Sequence, residues 1–301
     1  KVLMGLSIAH ARGDYPDLRK TIKSPDYSKM VKATLKHVKD FHHWTRGDNG
    51  YYDIGIYASV VKAPGVDGYI GTTRTGRAYL DDVLDIIRYD EQFNLVYRKP
   101  VCEGEDPRSF VYKGKPYSLT WDPTLDEILT YKIIDLVEEK VITLDIDGVP
   151  PSPLKVLGKN WMPLVKGDEL YIVLTIDPEI NIIQCDIKTG KCTWVTPFEN
   201  VQRGLPLSSS RGGSPLLYKS DLDLYIGLGH RTTDAWNHKP YLYTLSSDFK
   251  TSYVGPDIDT GKSAVEDPLS IYEYDGKIYC TICNWFVPGP GCVGLYEVTI
   301  E

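Results

Sequence analysis

The stretch EDPRSFVYKGKPYSLTW, residues 105–121, contains a plan that the chain repeats: a polar cluster, a proline, an apolar strand, a turn and a second strand. Short runs rich in aromatic and β-branched residues on both sides of a Lys-Gly turn are typical of a β-hairpin. The plan returns three times with its proline, and once, nearer the start, with alanine in the proline's place. The aligned positions are Ala58, Pro107, Pro163, Pro215 and Pro268.

The copies follow one another at intervals of about 50 residues, the size of one four-stranded propeller blade. Five such units account for nearly the whole chain after the first 49 residues, so the sequence predicts an all-β, five-bladed β-propeller at residues 50–301. The strand-like segments Val2–Ser7 and Gly294–Ile300 are predicted to pair and close the ring, because closure removes exposed sheet edges. Two stacked β domains would not explain a period that continues through the middle of the chain.

One segment before the propeller is predicted to be a helix. Ser24-Pro25 offers an N-cap followed by a proline at the first helical position. Apolar residues from Tyr27 to Phe41 then recur at three- and four-residue spacing, as in an amphipathic helix that ends near His43. We therefore expect residues 1–49 to contribute a strand and a helix that pack on the propeller, within a single domain.

Composition excludes several classes of function. The chain has 301 residues and a formal net charge of −7, without the basic block that nucleic-acid binding needs. It has no apolar stretch of about 20 residues and no phosphate loop or dinucleotide fingerprint, so neither a membrane span nor a cofactor is predicted. The start, Lys1–Leu18, has no signal-peptide profile, which predicts a cytosolic protein or a secreted one without its leader. The 22 tyrosines and 6 tryptophans suit a sugar-binding surface, although tyrosine is also a favourable strand residue.

A propeller gathers the beginnings of its innermost strands around one mouth of its central channel. The repeated polar clusters of this chain should therefore converge in one cavity with acidic and basic groups, which is the expected form of an active site. These clusters consist of Glu105, Asp106 and Arg108, of Lys159, Asn160 and Trp161, of Arg211, and of Glu266 and Asp267.

Four motifs at blade spacing resemble those of glycoside hydrolase family 130 and the related β-1,2-mannosyltransferases. They are EDPR at 105–108, KNWxP at 159–163, RGGSP at 211–215 and GHR at 229–231. The resemblance spans about residues 50–300. It implies a five-bladed propeller enzyme that cleaves or forms glycosidic bonds, above all in β-mannosides, by an inverting mechanism. Its substrate would be an oligosaccharide or glycan, used together with phosphate or a sugar phosphate in the phosphorylases and transferases.

The resemblance also implies roles for individual residues. Asp106 is the expected general acid, because a glycosidic oxygen must be protonated as it leaves, and Glu266 and Asp267 are the expected carboxylates that activate water. Basic groups suit a phosphate or sugar-phosphate site, and the residues expected to form it are Lys159, Arg211, His230 and Arg231. The residues expected to bind the sugar are Glu105, Arg108, Asp53, Arg74, Asn160 and Trp161, and no metal ligand is predicted.

Each of these roles has a structural alternative. Asp106 and Arg108 could form a hydrogen-bond network at a blade start, the basic groups could balance the acidic ones, and Glu266-Asp267 could be a repeated structural motif. The first blade departs from the family, because Tyr57 stands where the relatives usually have asparagine. Hydrolysis, phosphorolysis and transfer therefore stay open, as does a propeller that binds glycans or acts structurally without catalysis.

The six cysteines include two pairs that flank turns. Cys185 and Cys192 stand on either side of one hairpin loop, and Cys283 and Cys292 on either side of a Pro-Gly-Pro-Gly turn. Each pair could form a disulfide in an oxidising compartment, and the sequence leaves open whether either does. Cys280-x-x-Cys283 has no second half of suitable spacing, which argues against a structural zinc site.

Overall fold

The structure is a computed structural model that describes residues 31–47, 52–75, 82–122, 130–146, 160–176, 180–196, 210–234, 237–286 and 289–301. All regular secondary structure within these ranges is β. The described segments contain no helix of the length and apolarity needed to cross a bilayer.

Two four-stranded antiparallel sheets come first, and in each of them every strand pairs with the next one along the chain. The first sheet consists of β2 (Ile56–Val61), β3 (Tyr69–Thr75), β4 (Val83–Tyr89) and β5 (Leu95–Glu103). The second consists of β6 (Glu105–Tyr112), β7 (Lys115–Asp122), β8 (Thr130–Asp135) and β9 (Lys140–Thr143).

The third sheet has the same meander and one additional strand. Its outermost strand pairs in parallel with the short β10 (Asp145–Ile146), which follows directly after the second sheet. The meander itself consists of β11 (Met162–Lys166), β12 (Glu169–Thr175), β13 (Asn181–Cys185) and β14 (Lys191–Trp194).

The last sheet has nine strands, which fall into two antiparallel sets joined by one parallel bridge between His238 and Val265. One set consists of β15 (Ser210–Gly213), β16 (Leu217–Lys219), β17 (Leu224–Asp234), β18 (Asn237–Ser246) and β19 (Ser252–Asp257). The other consists of β20 (Val265–Tyr274), β21 (Lys277–Trp285), β22 (Gly291–Ile300) and, as its outer strand, β1 (Ala33–Trp44). The described strands therefore form five antiparallel sets.

The strand β1 corrects the helix prediction for the residues that the structure describes. It pairs with β22 along its whole length, from Ala33 opposite Ile300 to Trp44 opposite Gly291. Two register shifts in β1 each insert a residue, so that Phe41 and Trp44, three positions apart, are both buried. Such bulges reproduce helical spacing in an extended strand, which is why the periodicity misleads.

The predicted strand Val2–Ser7 is not tested, whereas the predicted packing of residues 1–49 on the propeller is corrected in part. Residues 1–30, which include Ser24-Pro25 and the segment Val2–Ser7, lie outside the described residues. The partner of β22 is β1, so the last sheet is completed from within the predicted N-terminal unit of residues 1–49. Residues 33–44 thus belong to the sheet itself and do not form a separate element packed on it.

Serine side chains tie the innermost strands β2, β6 and β20 to one another. The Ser59 hydroxyl donates to the Leu269 carbonyl at 3.1 Å, and the Ser109 hydroxyl donates to the Ser59 carbonyl at 2.7 Å. The Ser270 hydroxyl donates to the Val60 carbonyl at 2.6 Å. Because these side chains are small and fully buried, strands of the first, second and last sets approach closely around a common centre.

The two cysteine pairs differ. Cys185 and Cys192 are opposite one another on β13 and β14 and form a disulfide. Cys283 is opposite Val293, so Cys292 is offset by one residue from it and both thiols are free. Adjacent residues of a strand point to opposite faces, which is why a pair that looks symmetric about a turn need not meet.

Candidate functional site

The innermost strands begin with an irregular backbone. Asp106 has a φ of 50°, Tyr57 a φ of 56°, and Asn160, just before β11, a φ of 71°. Side chains other than glycine rarely adopt this left-handed conformation, which costs on the order of 1–3 kcal/mol per residue. The pairings of β2 and β6 also shift register at these points, and such bulges redirect a side chain. Strain of this kind at three strand starts indicates a functional region.

A buried arginine holds the start of β6. Arg74 donates to both carboxylate oxygens of Asp82, at 2.7 and 2.8 Å, and its Nη1 lies 3.0 Å from Glu105 and 3.5 Å from Asp106. Burial alone would lower the pKa of Arg74, but the three carboxylates, Glu105 foremost, raise it well above its usual value. The Asp106 carboxyl is therefore fixed by a cation that is itself anchored at its other edge.

A second arginine joins the strand start of β6 to the segment before β11. Arg108 donates from Nη2 to the Asn160 side-chain oxygen at 2.7 Å and from Nη1 to the Pro107 carbonyl at 3.0 Å. Its Nε is buried and has no hydrogen-bond partner among the described residues. The contact between the EDPR and KNWxP motifs is thus direct.

Asp267, near the start of β20, is the centre of a second group. Its carboxylate accepts a hydrogen bond from the Tyr57 hydroxyl at 3.0 Å and lies 2.7 Å from His238 Nδ1 and 3.8 Å from His230 Nε2. Burial alone would raise the pKa of Asp267, but its interactions with His238, with His230 and with Arg108 lower it well below its usual range. Asp267 is therefore ionised at neutral pH.

His230 stays neutral beside that carboxylate. Burial lowers the pKa of His230 to about 3, although the charge of Asp267 acts in the opposite direction. Its Nδ1 is buried and has no hydrogen-bond partner among the described residues, and its ring lies 5.0 Å from that of His238. A neutral imidazole does not attract an anion, which weakens the predicted role of His230 in a phosphate site.

Arg211 connects the two groups. It is opposite His230 in the pairing of β15 with β17, and its Nε is buried without a hydrogen-bond partner among the described residues. Burial lowers the pKa of Arg211, whereas the charges of Asp267 and Asp106 both act to raise it. The charges of both aspartates therefore act on one guanidinium. We call Arg74, Asp106, Arg108, Asn160, Arg211, His230, His238, Asp267 and Tyr57 the strand-start site.

The structure does not bring every predicted residue to this site. Glu266 is fully buried and accepts backbone hydrogen bonds from Thr260, Lys262 and Ser263 at 3.2–3.3 Å, while Lys239 Nζ lies 3.3 Å away. It holds the loop before β20 on the side away from Asp267, because adjacent strand residues alternate. The same alternation separates two neighbouring residues of β17. His230 points to the site, whereas Arg231 points away from it.

That arginine, Arg231, forms an ion pair with Asp257 and lies over the Tyr241 ring. Lys159 lies outside the described residues. Of the four residues predicted to bind phosphate, the described part of the chain thus brings only Arg211 and His230 together. The described residues therefore do not form the predicted phosphate site of four basic groups.

Two predicted sugar-binding residues have other contacts. Asp53 is exposed and accepts hydrogen bonds from the backbone of Thr45 and Ile54, at 3.1 and 2.9 Å. Trp161 is 2% exposed and stacks on Tyr131 at a centroid distance of 3.3 Å. Asp53 therefore stabilises a turn, and Trp161 packs in the core.

Sequence motifs missed His238, which lies at the start of β18 and outside the repeated plan. A signal was nevertheless present in the hairpin of β17 and β18, where Thr232 is opposite His238 and His230 is opposite Pro240. Residues offset by two positions share a face, so the hairpin register places both histidines on the side of Asp267. The signal becomes visible only when the register is known.

The RGGSP motif also has a physical explanation. A Cβ atom built on Gly212 would lie 2.1 Å from the Asn160 carbonyl oxygen and 2.8 Å from the Met162 side chain. Only glycine permits this approach between β15 and the segment before β11. The motif therefore sets the spacing between two elements of the strand-start site.

One set of side chains in the described segments has the composition of a metal site. The possible ligand atoms of His230, His238 and Asp267 lie within 4.8 Å of one another. The 2.7 Å between His238 Nδ1 and Asp267 Oδ1 is, however, an ordinary hydrogen-bond distance. We therefore treat the three as a hydrogen-bonded group, and the expectation that the protein has no metal ligand stays a prediction.

Comparisons with known proteins give structural matches only. No protein-family model matches the sequence, and no curated protein matches it. A GH43 β-1,3-galactosidase has 12% sequence identity and a TM-score of 0.57, and the match covers 87% of this chain and 60% of that one. The exo-β-1,3-galactanase of Phanerochaete chrysosporium, with galactose, has 8% identity and a TM-score of 0.59, covering 87% and 64%. A GH43 β-xylosidase/α-arabinofuranosidase from a compost metagenome has 11% identity and a TM-score of 0.55, covering 89% and 98%.

At these identities the comparisons establish the fold. This chain is an all-β propeller, as the repeats predict, and it spans 60% of the length of the first of these structures. The number of blades stays a prediction, which the five antiparallel sets of strands support. The matches are family 43 proteins, so the resemblance to family 130 also stays a prediction.

Proposed function

We propose that this chain is a carbohydrate-active enzyme that acts on glycosidic bonds at the strand-start site. The observation that carries the proposal is that Asp106 and Asp267, although far apart in sequence, lie near the starts of two innermost strands that are tied together through β2. Asp106 is held in a strained conformation by Arg74, and Asp267 is ionised. Opposed carboxyl groups with different environments are the requirement for acid–base chemistry at an acetal.

In this proposal Asp106 protonates the glycosidic oxygen as it leaves, and Asp267 provides the negative charge of the basic side. Water then attacks the anomeric carbon from the face opposite the leaving group, which inverts its configuration. Inverting enzymes hold their two carboxyl groups roughly 6.5–9.5 Å apart to accommodate that water. The fold itself supports this use, since the matched propellers are named as galactosidases, galactanases and xylosidases.

The substrate class and the second substrate are finer proposals. The EDPR, KNWxP, RGGSP and GHR motifs favour β-mannosides, whereas the names of the structural matches favour β-galactosides and β-xylosides. We place hydrolysis before phosphorolysis, because Arg231 is paired with Asp257 and His230 is neutral. Arg211 and Arg108 each have a buried Nε without a hydrogen-bond partner among the described residues, and both are held among carboxylates or side-chain oxygens of the site.

The first prediction is that D106N abolishes turnover and leaves the fold intact. The substrates are β-mannosides, β-galactosides and β-xylosides, each with and without inorganic phosphate. Loss of a general acid is expected to lower kcat about 10²–10⁴-fold, because the amide cannot donate a carboxylic proton. Product is measured by chromatography and folding by the thermal unfolding temperature.

D248N is the matched control, since Asp248 lies in the exposed turn after β18 and contacts only its own turn. It should keep the wild-type kcat. Full activity in D106N would remove Asp106 from the mechanism. Glycan binding without product in every arm would favour the non-catalytic propeller.

A further inference from the structure

We infer that His238 is the base that takes the proton from the attacking water, and that Asp267 and Tyr57 are its positioning residues. The inference rests on the proposed function and assigns one group within it. Sequence motifs point to the carboxylate alone, whereas in the structure an imidazole is hydrogen-bonded to that carboxylate. The His238 side chain is 15% exposed and the Asp267 side chain 6%. The more accessible of the two groups is thus the histidine.

The hydrogen bonds fix the orientation of the ring. The Tyr57 hydroxyl donates to one oxygen of Asp267, and His238 Nδ1 lies 2.7 Å from the other. An ionised carboxylate only accepts hydrogen bonds, so Nδ1 carries the proton and Nε2 is left with a lone pair. The His238 backbone N–H also donates to the Ala264 carbonyl at 2.9 Å, which fixes the start of β18. An imidazole held through Nδ1 by a buried aspartate is the arrangement of a general base.

A carboxylate lies against the ring that would receive the proton of the water. An imidazolium at position 238 would lie against the negative Asp267, which stabilises it. His230 is neutral and contributes no opposing charge. Two cations, Arg211 on β15 and Arg108 on β6, interact with Asp267 and act in the opposite direction. The other polar groups beside the pair in the described residues include Tyr57 on β2, His230 on β17 and Cys283 on β21.

The step is balanced without any further reagent. Water gives a proton to His238 Nε2 while its oxygen forms a bond to the anomeric carbon. The bond from that carbon to the glycosidic oxygen breaks, and the electron pair remains on the oxygen, which takes the proton of Asp106. His238 then returns its proton to solvent, and Asp106 takes one up.

The direct test is the tautomer of His238, measured by ¹⁵N NMR on protein labelled at histidine. The inference predicts a proton on Nδ1 and an unprotonated Nε2 in the wild type at neutral pH. In D267N the side-chain amide can donate to Nδ1, which shifts the proton to Nε2, as replacing the aspartate of such a pair by asparagine does elsewhere. The tautomer tests how Asp267 holds the ring, and the kinetics of His238 variants test whether the ring acts as the base. A wild-type ring protonated on Nε2 would overturn the inference.

Kinetics supply the second arm. H238Q is expected to lower kcat about 10²–10⁴-fold, whereas H37Q is the matched control. His37 forms a similar pair with Asp40, at 2.8 Å, but on the exposed outer strand β1. If the wild type is active, D106N is inactive and H238Q keeps its kcat within twofold, the inference fails and the proposed function stands. If the wild type turns over no glycoside, both fail, while the NMR measurement still decides the tautomer.

Discussion

Two histidines of this protein are buried in neutral form. Burial lowers the pKa of His42 and of His230 to about 3 in each case. His42 lies within hydrogen-bonding distance of the Tyr89 hydroxyl and 3.0 Å from the Thr73 hydroxyl. Both rings are therefore neutral polar groups in the interior. Because neither ring can be protonated without cost in the native state, the stability of the protein depends on pH.

The second prediction follows from these two rings. In the unfolded chain they bind protons near pH 6.5, but in the native state only near pH 3, because the pKa of each ring is lowered by burial. Between these values the unfolded state binds more protons, so the free energy of unfolding falls as the pH falls. Each ring contributes up to about 1.4 kcal/mol per pH unit.

Urea unfolding at pH 7.5, 6 and 5 measures this slope. H42Q should reduce it, since one of the two rings is then absent. A free energy of unfolding that does not change between pH 7.5 and pH 5 would contradict the neutral, buried state of both histidines.

The third prediction concerns Arg74, which the sequence points to as a sugar contact. R74M removes the cation that Asp82, Glu105 and Asp106 share in the interior. Breaking a buried ion pair in this way costs about 3–5 kcal/mol, because charge is left uncompensated. The control is K277M on the exposed pair of Lys277 with Glu297, where no measurable change is expected. The free energy of unfolding of both variants is measured by chemical denaturation. If that of R74M equals the wild-type value, the three carboxyl groups are not stabilised by Arg74.

Most strands of this protein can be predicted from the sequence, but one of them is predicted wrongly. Tyr69–Thr73, Leu170–Thr175 and Lys277–Ile282 are short β-rich runs between turn residues, a pattern typical of strands, and they fall within β3, β12 and β21. The strand β1 was predicted as a helix, because its bulges give apolar residues a three-residue spacing. Pairing with β22 joins residues about 250 positions apart in the sequence, which local periodicity does not contain.

The fourth prediction distinguishes strand from helix at β1. Phe41 is 3% exposed, and its ring packs against Tyr89 and Phe93, whereas Val38 is 48% exposed. F41A should therefore lower the free energy of unfolding by about 3–5 kcal/mol, and V38A by no more than about 0.5 kcal/mol. On an amphipathic helix both residues would share the apolar face. Equal losses from both substitutions, measured by denaturant titration, would contradict the strand.

The repeated architecture of the whole molecule determines which residues of the site can be predicted from the sequence. Repeats at blade spacing are enough to place Asp106, Asn160, Arg211 and Asp267 at the beginnings of inner strands. They do not tell which of two adjacent residues faces the centre, so Asp267 and Glu266 look equivalent in the sequence but are used in opposite directions in the fold. Which of the two residues faces the centre depends on strand register. The position of the base depends on it too, because His238 contacts Asp267 from the hairpin of β17 and β18, which carries no sequence motif at that residue.

The most direct test of the account is a crystal structure of D106N with the oligosaccharide that the wild type converts fastest. We predict that the sugar occupies the strand-start site, with its glycosidic oxygen within about 3.2 Å of the side-chain amide at position 106. The opposite face of the anomeric carbon should face His238 and Asp267. A sugar bound elsewhere, or one whose glycosidic oxygen lies away from position 106, would contradict the claim that this site cleaves glycosidic bonds.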